Sequence, residues 1–379
     1  MRTMAARFAV VLALIGAGLT FDAQAQQPVR AAPTRPGATP SAPATTPSRP
    51  ATTPQKSSSA AATKKKSTAA SAEASATALL SLPEIASRLG FTYSAASGNR
   101  PSVLSGRGHR VELNGGSREV TVDGLRMFLG EPVLVRSGKL HLSRIDYERR
   151  LLPILRPDLV RPRLVKPRII AIDPGHGGVD RGTRNPKLGL EEKGFALDVA
   201  KRLERLLEAR GFKVVLTRTE DVKLELAQRA LIANRANADL FVSIHFNSLP
   251  NDARTRGAEI FTFAPQYQRS TNSWGPSQAD DTERAAAPVN RYDAWSSALA
   301  HGIHQEVIEQ LKVFDRGQKI AHFGVLRGLD CPGVLVESGF LSNEEEARKI
   351  ATPAYRQQIA AALADGIVNY AKTIEASHR

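Results

Sequence analysis

The sequence predicts an α/β protein: a mostly parallel, twisted sheet with helices on both faces, preceded by a small β-rich α+β domain. Three observations carry this. From residue 168 onward, short apolar runs alternate with stretches whose apolar residues recur every three or four positions, the pattern of βαβ units. The runs are continuously apolar, as strands covered on both faces require. Upstream, residues 79–155 carry short alternating runs separated by Asn114-Gly115-Gly116 and Ser137-Gly138, a pattern of hairpins.

The elements follow in chain order. Arg2 and Arg7 bound a short positive region, and a brief apolar stretch, 8–19, follows it and leads to Ala23-Gln24-Ala25. A positive start, an apolar run too short to span a bilayer and a small-x-small site describe a secretory signal peptide, 1–25, cut after Ala25. The expected location is outside the inner membrane: the periplasm, or the wall and exterior where no outer membrane exists. Residues 26–76 are Pro, Ala, Ser, Thr and Lys with almost no large apolar side chain, and are expected to be a disordered tether. Lys and Arg number 52 against 37 Asp and Glu, a formal charge of +15. Export sets nucleic acid aside, so the charge reads as weak attraction to anionic envelope polymers. Cys331 is the single cysteine, which excludes an intramolecular disulfide.

In the small domain, 79–155, residues 82–90 form an amphipathic helix stopped by Gly90, and strands follow at 110–113, 119–122, 132–136 and 139–143. These strands resemble the stalk-type domain placed before secreted enzymes. His109 and His141 read as ordinary strand or surface histidines. A Pro- and Arg-rich linker, 153–167, leads to the second domain, 168–379. Its strands are expected at 168–173, 213–216, 240–244, 258–263, 324–326 and 333–336. Its helices are expected at 193–210, 225–236, 295–311 and 353–374. The polar stretch 264–294 interrupts this rhythm as a long insertion.

Three side chains with metal-binding chemistry stand at strand ends or a helix start. His176 lies in Pro174-Gly175-His176-Gly177-Gly178, just past the first strand, and His245 follows the apolar run 240–244. Glu192 opens the helix that begins near Lys193. It is four residues before Ala196 and so shares the buried stripe, whereas Glu191 lies about 100° round the axis. Alone, Glu192 could simply suit the helix dipole, and His245 could be a buried structural histidine. Together, two imidazoles and a carboxylate with an open fourth position make a catalytic zinc site. Glu337 emerges from the run 333–336 at the same edge. It can act as the base, with a fourth ligand or a buried structural acid as its alternatives. The chain thus reads as a metal-dependent hydrolase.

The ordered set Asp173-Pro174-Gly175-His176-Gly177-Gly178, Glu192-Lys193, Arg229 with Ala233-Asn234, 238–247 and Val336-Glu337-Ser338-Gly339-Phe340-Leu341-Ser342-Asn343 resembles the zinc-dependent N-acetylmuramoyl-L-alanine amidases over about 168–372. The resemblance implies zinc ligands His176, Glu192 and His245, a catalytic Glu337, and peptidoglycan as substrate. The bond cut would join the lactyl group of N-acetylmuramic acid to L-alanine of the stem peptide.

Cell-division members of that family carry a helical insert that plugs the site until a protein activator binds. Here 264–294 has no apolar stripe: Tyr267, Trp274 and Val289 are scattered among turn residues. The insertion therefore reads as a flexible rim, and the region from Pro167 to the end is expected to act without a partner. His301 and His304 read as exposed helix residues. His322 and Arg327 read as near the site, Arg327 as a holder of a stem-peptide carboxylate. Two other functions are weighed. A zinc exopeptidase acting on free peptides would use the same residues. A catalytically silent wall-binding protein would have no reason to keep an open metal position and a base.

Overall fold

The computed structural model describes residues 78–98, 100–249, 251–271 and 281–378, together with Ala74. The signal-peptide reading, the tether reading apart from Ala74, and Trp274 lie outside these residues.

The described elements open with β1 (Leu79–Ser81) and α1 (Leu82–Leu89). The Ser81 side chain caps the helix at Glu84 N, and Gly90 ends it in the left-handed region at φ 69°. Leu82, Ile85, Ala86 and Leu89 point inward, as the stripe predicts. Then come β2 (Thr92–Ser94), β3 (Ser102–Gly106), β4 (His109–Leu113), β5 (Glu119–Val122), β6 (Leu125–Phe128), β7 (Leu134–Arg136) and β8 (Lys139–Ser143). β2 to β6 form an antiparallel meander, and β1, β8 and β7 form a separate three-stranded sheet. α2 (Leu152–Leu155) follows.

The second region holds β9 (Ile169–Pro174), a hairpin of β10 (Arg184–Asn185) and β11 (Leu190–Glu191), α3 (Glu192–Glu208) and β12 (Lys213–Leu216). It continues with α4 (Leu226–Arg235), β13 (Leu240–Asn247), β14 (Ala258–Phe263), α5 (Asp293–Leu311) and β15 (Asp315–Ala321). It ends with α6 (Gly324–Arg327), β16 (Gly333–Phe340), α7 (Glu344–Ile350) and α8 (Pro353–Ala376). The expected mostly parallel sheet is present: β12, β9, β13 and β16 are parallel neighbours. β14 then runs antiparallel to β16, and β15 runs parallel to β14.

Topology fixes where a site can form. The chain leaves β9 for β12 on one side and returns to β13 on the other. α3 packs with α5 and α8 on one face, α4 with α6 on the other. The crevice beyond the carboxyl ends of β9 and β13 is therefore a topological switch point, where open α/β sheets bind ligands.

Two expectations change. Residues 324–326 are helical. The strand before them is β15, a polar run, Asp-Arg-Gly-Gln-Lys-Ile-Ala, that carries no apolar alternation. β15 can be polar because it is flanked by β6 of the small region as well as by β14. Through the Gln318↔Met127 pair the meander joins the main sheet, giving eleven strands in all.

The segment read as a linker is also built in. Val160 is buried in the core under α3, α5 and α8, and Trp295 donates its indole N–H to Pro162 O at 2.8 Å. Arg150, buried, donates to Thr262 Oγ1 at 3.1 Å and Ser297 Oγ at 3.3 Å. Burying one aliphatic side chain stabilises by roughly 1.5–3 kcal/mol. Removing residues 1–166 strips Val160 from that core and uncovers the edge of β15. The truncated chain is expected to unfold at a clearly lower denaturant midpoint than the full chain. Equal midpoints would show that the second region stands alone.

Candidate active site

The site is assembled from three backbone devices. First, β9 ends in Pro174, and His176 adopts φ 59°, a left-handed conformation that costs a residue other than glycine roughly 1–3 kcal/mol. Two buried guanidinium groups hold it there. Arg218 donates to Pro174 O at 3.0 Å and Gly175 O at 2.7 Å, and Arg229 donates to Pro174 O at 2.7 Å and His176 O at 2.8 Å. Second, α3 starts at Glu192, whose side chain is turned into the protein and is 1% exposed. Glu191 instead faces outward and pairs with Arg181 at 3.0 Å. Third, β13 extends past the predicted end to Asn247, so His245 sits within the strand, paired in register with Glu337 of β16.

These devices bring His176, Glu192 and His245 together. One ligand atom from each lies within 4.8 Å of the others, and among the described residues this is the one such cluster of His, Cys, Asp or Glu. His176 Nε2 is 3.1 Å from Glu192 Oε2, and His245 Nδ1 is 2.9 Å from Glu192 Oε1. The far nitrogen of His176, Nδ1, contacts Asp180 at 2.9 Å, so an outer carboxylate orients the ring. Burial alone would raise the Glu192 carboxyl, but the two imidazoles outweigh it and hold it well below the ordinary range. Burial opposes protonation of His176, yet Glu192 and Asp180 together raise its pKa. A carboxylate kept charged between two ring nitrogens suits a divalent cation.

Glu337 is different. Its Oε2 is buried with no hydrogen-bond partner. Burial pushes its carboxyl well above the usual range, and the neighbouring Glu192 and Glu259 add to the shift. Glu337 is paired in register with His245 on one side and with Glu259 of β14 on the other.

Other expectations are corrected. His322 and Arg327 are tied to the insertion, away from the cluster. His322 Nδ1 lies 3.3 Å from Asp281 and its ring stands against Phe263, while Arg327 pairs with Glu283 and lies over the same Phe263. Phe263 is four residues beyond Glu259, about 13 Å further along the strand. The insertion therefore leaves β14 at the edge where β16 begins, opposite to Glu337. Its described arms are packed: Gln268, Thr271 and Val289 are buried, and Thr271 N donates to Ile320 O at 2.8 Å. They are no flexible rim of this site. His304 is buried and 2.7 Å from Asp315, and His301 meets Gln318 at 3.0 Å, because α5 is covered by both β15 and α8.

Asp180, Arg218 and Glu259 are site neighbours that the sequence reading did not single out. Only Arg229, within the family motifs, carried a signal there.

A family model described as N-acetylmuramoyl-L-alanine amidase matches residues 170–369. N-acetylmuramoyl-L-alanine amidase AmiA of Salmonella typhimurium is 33% identical over 222 residues, covering 53% of this chain and 75% of that protein. N-acetylmuramoyl-L-alanine amidase LytC of Bacillus subtilis is 36% identical over 202 residues, 53% of this chain and 35% of that protein. Among solved structures, N-acetylmuramoyl-L-alanine amidase AmiC2 of Nostoc punctiforme is 33% identical, covering 54% of this chain and 97% of that chain, at a TM-score of 0.44.

Two glycines leave room for the cluster. A Cβ on Gly182 would stand 2.5 Å from Glu192 Oε2 and 2.6 Å from His176 Cδ2, and one on Gly175 would overlap the His245 ring. Gly182→Ala and Gly175→Ala are each expected to weaken divalent-ion affinity at least ~tenfold, the scale of losses seen when the surroundings of metal ligands are disturbed. Competition titration against a chelating dye checks this. Unchanged affinity would mean that the ligands tolerate displacement.

Proposed function

The chain belongs to the N-acetylmuramoyl-L-alanine amidase family and is a peptidoglycan amidase, and from that premise we propose that it works as a zinc enzyme with a glutamate base. The bond cut is the amide between the lactyl group of N-acetylmuramic acid and L-alanine of the stem peptide. In this reading His176, Glu192 and His245 hold the ion. The donor set fits zinc: two imidazoles, one carboxylate, no competing thiolate, and an outer carboxylate on His176. When bound, zinc supplies a water of pKa near 7 and polarises the carbonyl.

The remaining work belongs to the chain. Glu337 takes the proton of the attacking water and delivers it to the departing amine nitrogen. Its neighbourhood suits the task. Buried beside other carboxylates, it binds a proton more readily than a surface glutamate does. The observation that carries the proposal is the unpartnered Glu337 oxygen, one strand from His245.

The proposal extends to placement. Residues 1–25 would direct export, the periplasm or wall would be the working compartment, and the basic tether 26–76 would rest weakly on anionic envelope polymers. No helix among the described residues is long and apolar enough to cross a membrane.

Digestion of purified sacculi tests the function. Free stem peptides with glycan strands of unchanged length are expected, and a strong chelator should abolish them. Activity that survives complete metal removal would end the zinc reading. Glu337→Gln is expected to lower turnover by roughly 10²- to 10⁴-fold while metal content stays stoichiometric. Loss of metal in that variant would make Glu337 a ligand.

A further inference from the structure

Beyond the scissile bond, the sheet carries a second polar row. β14 is antiparallel to β16, and Glu259 stands directly across from Glu337. The Glu259 side chain is buried and receives two cations. Arg316 Nε lies 2.5 Å and Lys319 Nζ 2.9 Å from the same Oε1, both from β15. The register of β14 on β15 shifts between Ala258 and Ile260, which turns Arg316 toward Glu259. Asn247 Nδ2 approaches the other oxygen, Oε2, at 3.3 Å.

Two cations meet one carboxylate here. Among the described residues, Arg316 and Lys319 have no other acidic partner in salt-bridge range. Each keeps N–H donors beyond the one spent on Glu259: a guanidinium has five and an ammonium three. Both side chains stay within reach of a ligand, 26% and 12% exposed. Both are also held in place. Arg316 lies over the Phe340 ring at 5.0 Å, and the Lys319 ammonium stands 5.6 Å from the Phe128 ring and 5.8 Å from that of Phe261. Burial lowers the Lys319 pKa despite Glu259, so an incoming anion meets a poorly hydrated cation.

We propose that Arg316 and Lys319, oriented by Glu259, form a subsite that grips a carboxylate of the stem peptide and so sets which peptides are cut. This rests on the amidase reading above. Neighbouring strands lie about 4.8 Å apart, so Glu259 is about 10 Å across the sheet from His245. An extended peptide covers that distance in about three residues. The carboxylate should therefore sit two or three residues beyond the scissile amide. The glycan side offers no carboxylate in that position, because its lactyl group is the one bound up in the amide. This subsite takes the role for which Arg327 was a candidate, and the Arg327 guanidinium is instead paired with Glu283.

The test uses the full chain and two synthetic muramyl peptides. They differ only in whether the residue two or three places beyond the scissile bond carries a free carboxylate or its primary amide. The wild type should cut the acid with kcat/KM roughly ten- to a hundredfold above the amide, the scale of a charge-assisted hydrogen bond. In Lys319→Met and in Arg316→Gln that ratio should fall toward one, chiefly through KM for the acid. Each variant leaves Glu259 one cation, so its buried charge is not stranded. Wild-type rates that are equal on both peptides, or a ratio that neither variant changes, would overturn the inference while leaving the amidase in place. Failure to cut either peptide would overturn the amidase reading, and the inference with it.

Discussion

One buried carboxylate holds the catalytic edge together. Asp173, at the end of β9, accepts from Thr217 Oγ1 at 2.5 Å, Ser243 Oγ at 2.7 Å and Arg229 Nη1 at 2.8 Å. Thr217 follows β12 and Ser243 lies within β13, so one side chain ties three parallel strands at their carboxyl ends. Its charge also keeps Arg229 inside the protein, 3% exposed. Arg229 and Arg218 in turn hold the carbonyls of 174–176, and with them the left-handed His176. Breaking such a buried pair from one side costs about 3–5 kcal/mol. The geometry of the first imidazole thus depends on an ion pair that never meets substrate.

With that edge fixed, burial assigns different chemistry to two glutamates. Glu192 is buried, and Glu337 is half-buried with one oxygen shielded from water, yet their carboxyls shift in opposite directions. Glu192 sits between two imidazoles and stays charged; Glu337 faces other carboxylates and favours its proton. Environments that push two acids apart accord with the proposed division of labour, one to hold a cation and one to carry a proton. Glu259 completes the row across the sheet. It can lie beside Glu337 in register because Arg316 and Lys319 neutralise it.

Most of the second region was legible in the sequence, since strands buried on both faces write themselves as apolar runs and their helices as stripes. His176, Glu192, His245 and Glu337 were legible because each stands in a short motif at a strand end or helix start. What the sequence hid has a common cause. β15 is polar because its neighbours on both sides are strands and its side chains answer charges, Asp315 to His304 and Lys319 to Glu259. His304, read as exposed, is buried for the same reason. Arg218 and Glu259 act through contacts 44 and 60 residues away, and Asp180 through one four residues away in a stretch that is not helical, so no helix or strand pattern marks any of them.

The small region and the insertion make sense on this view of β15. A sheet ending at β15 would expose an edge strand with its hydrogen-bonding groups unpaired. β6 caps that edge through the Gln318↔Met127 pair, and Arg126 reinforces the junction by donating from its backbone N to Asp315 Oδ2 at 2.9 Å. Asp315 also receives His304, so the junction, α5 and β15 share one carboxylate. The insertion closes the other end, where Thr271 bonds to Ile320 and Ser270 Oγ accepts from His322 N at 3.2 Å. β15 is therefore held at both ends by segments outside the parallel strands β12, β9, β13 and β16. A strand held this way keeps Arg316 and Lys319 at fixed positions beside Glu259. Side chains with four or more rotatable bonds can position a ligand only when their own freedom has already been lost in folding. The same physics that seals the edge of the sheet thus prepares the surface next to the scissile bond.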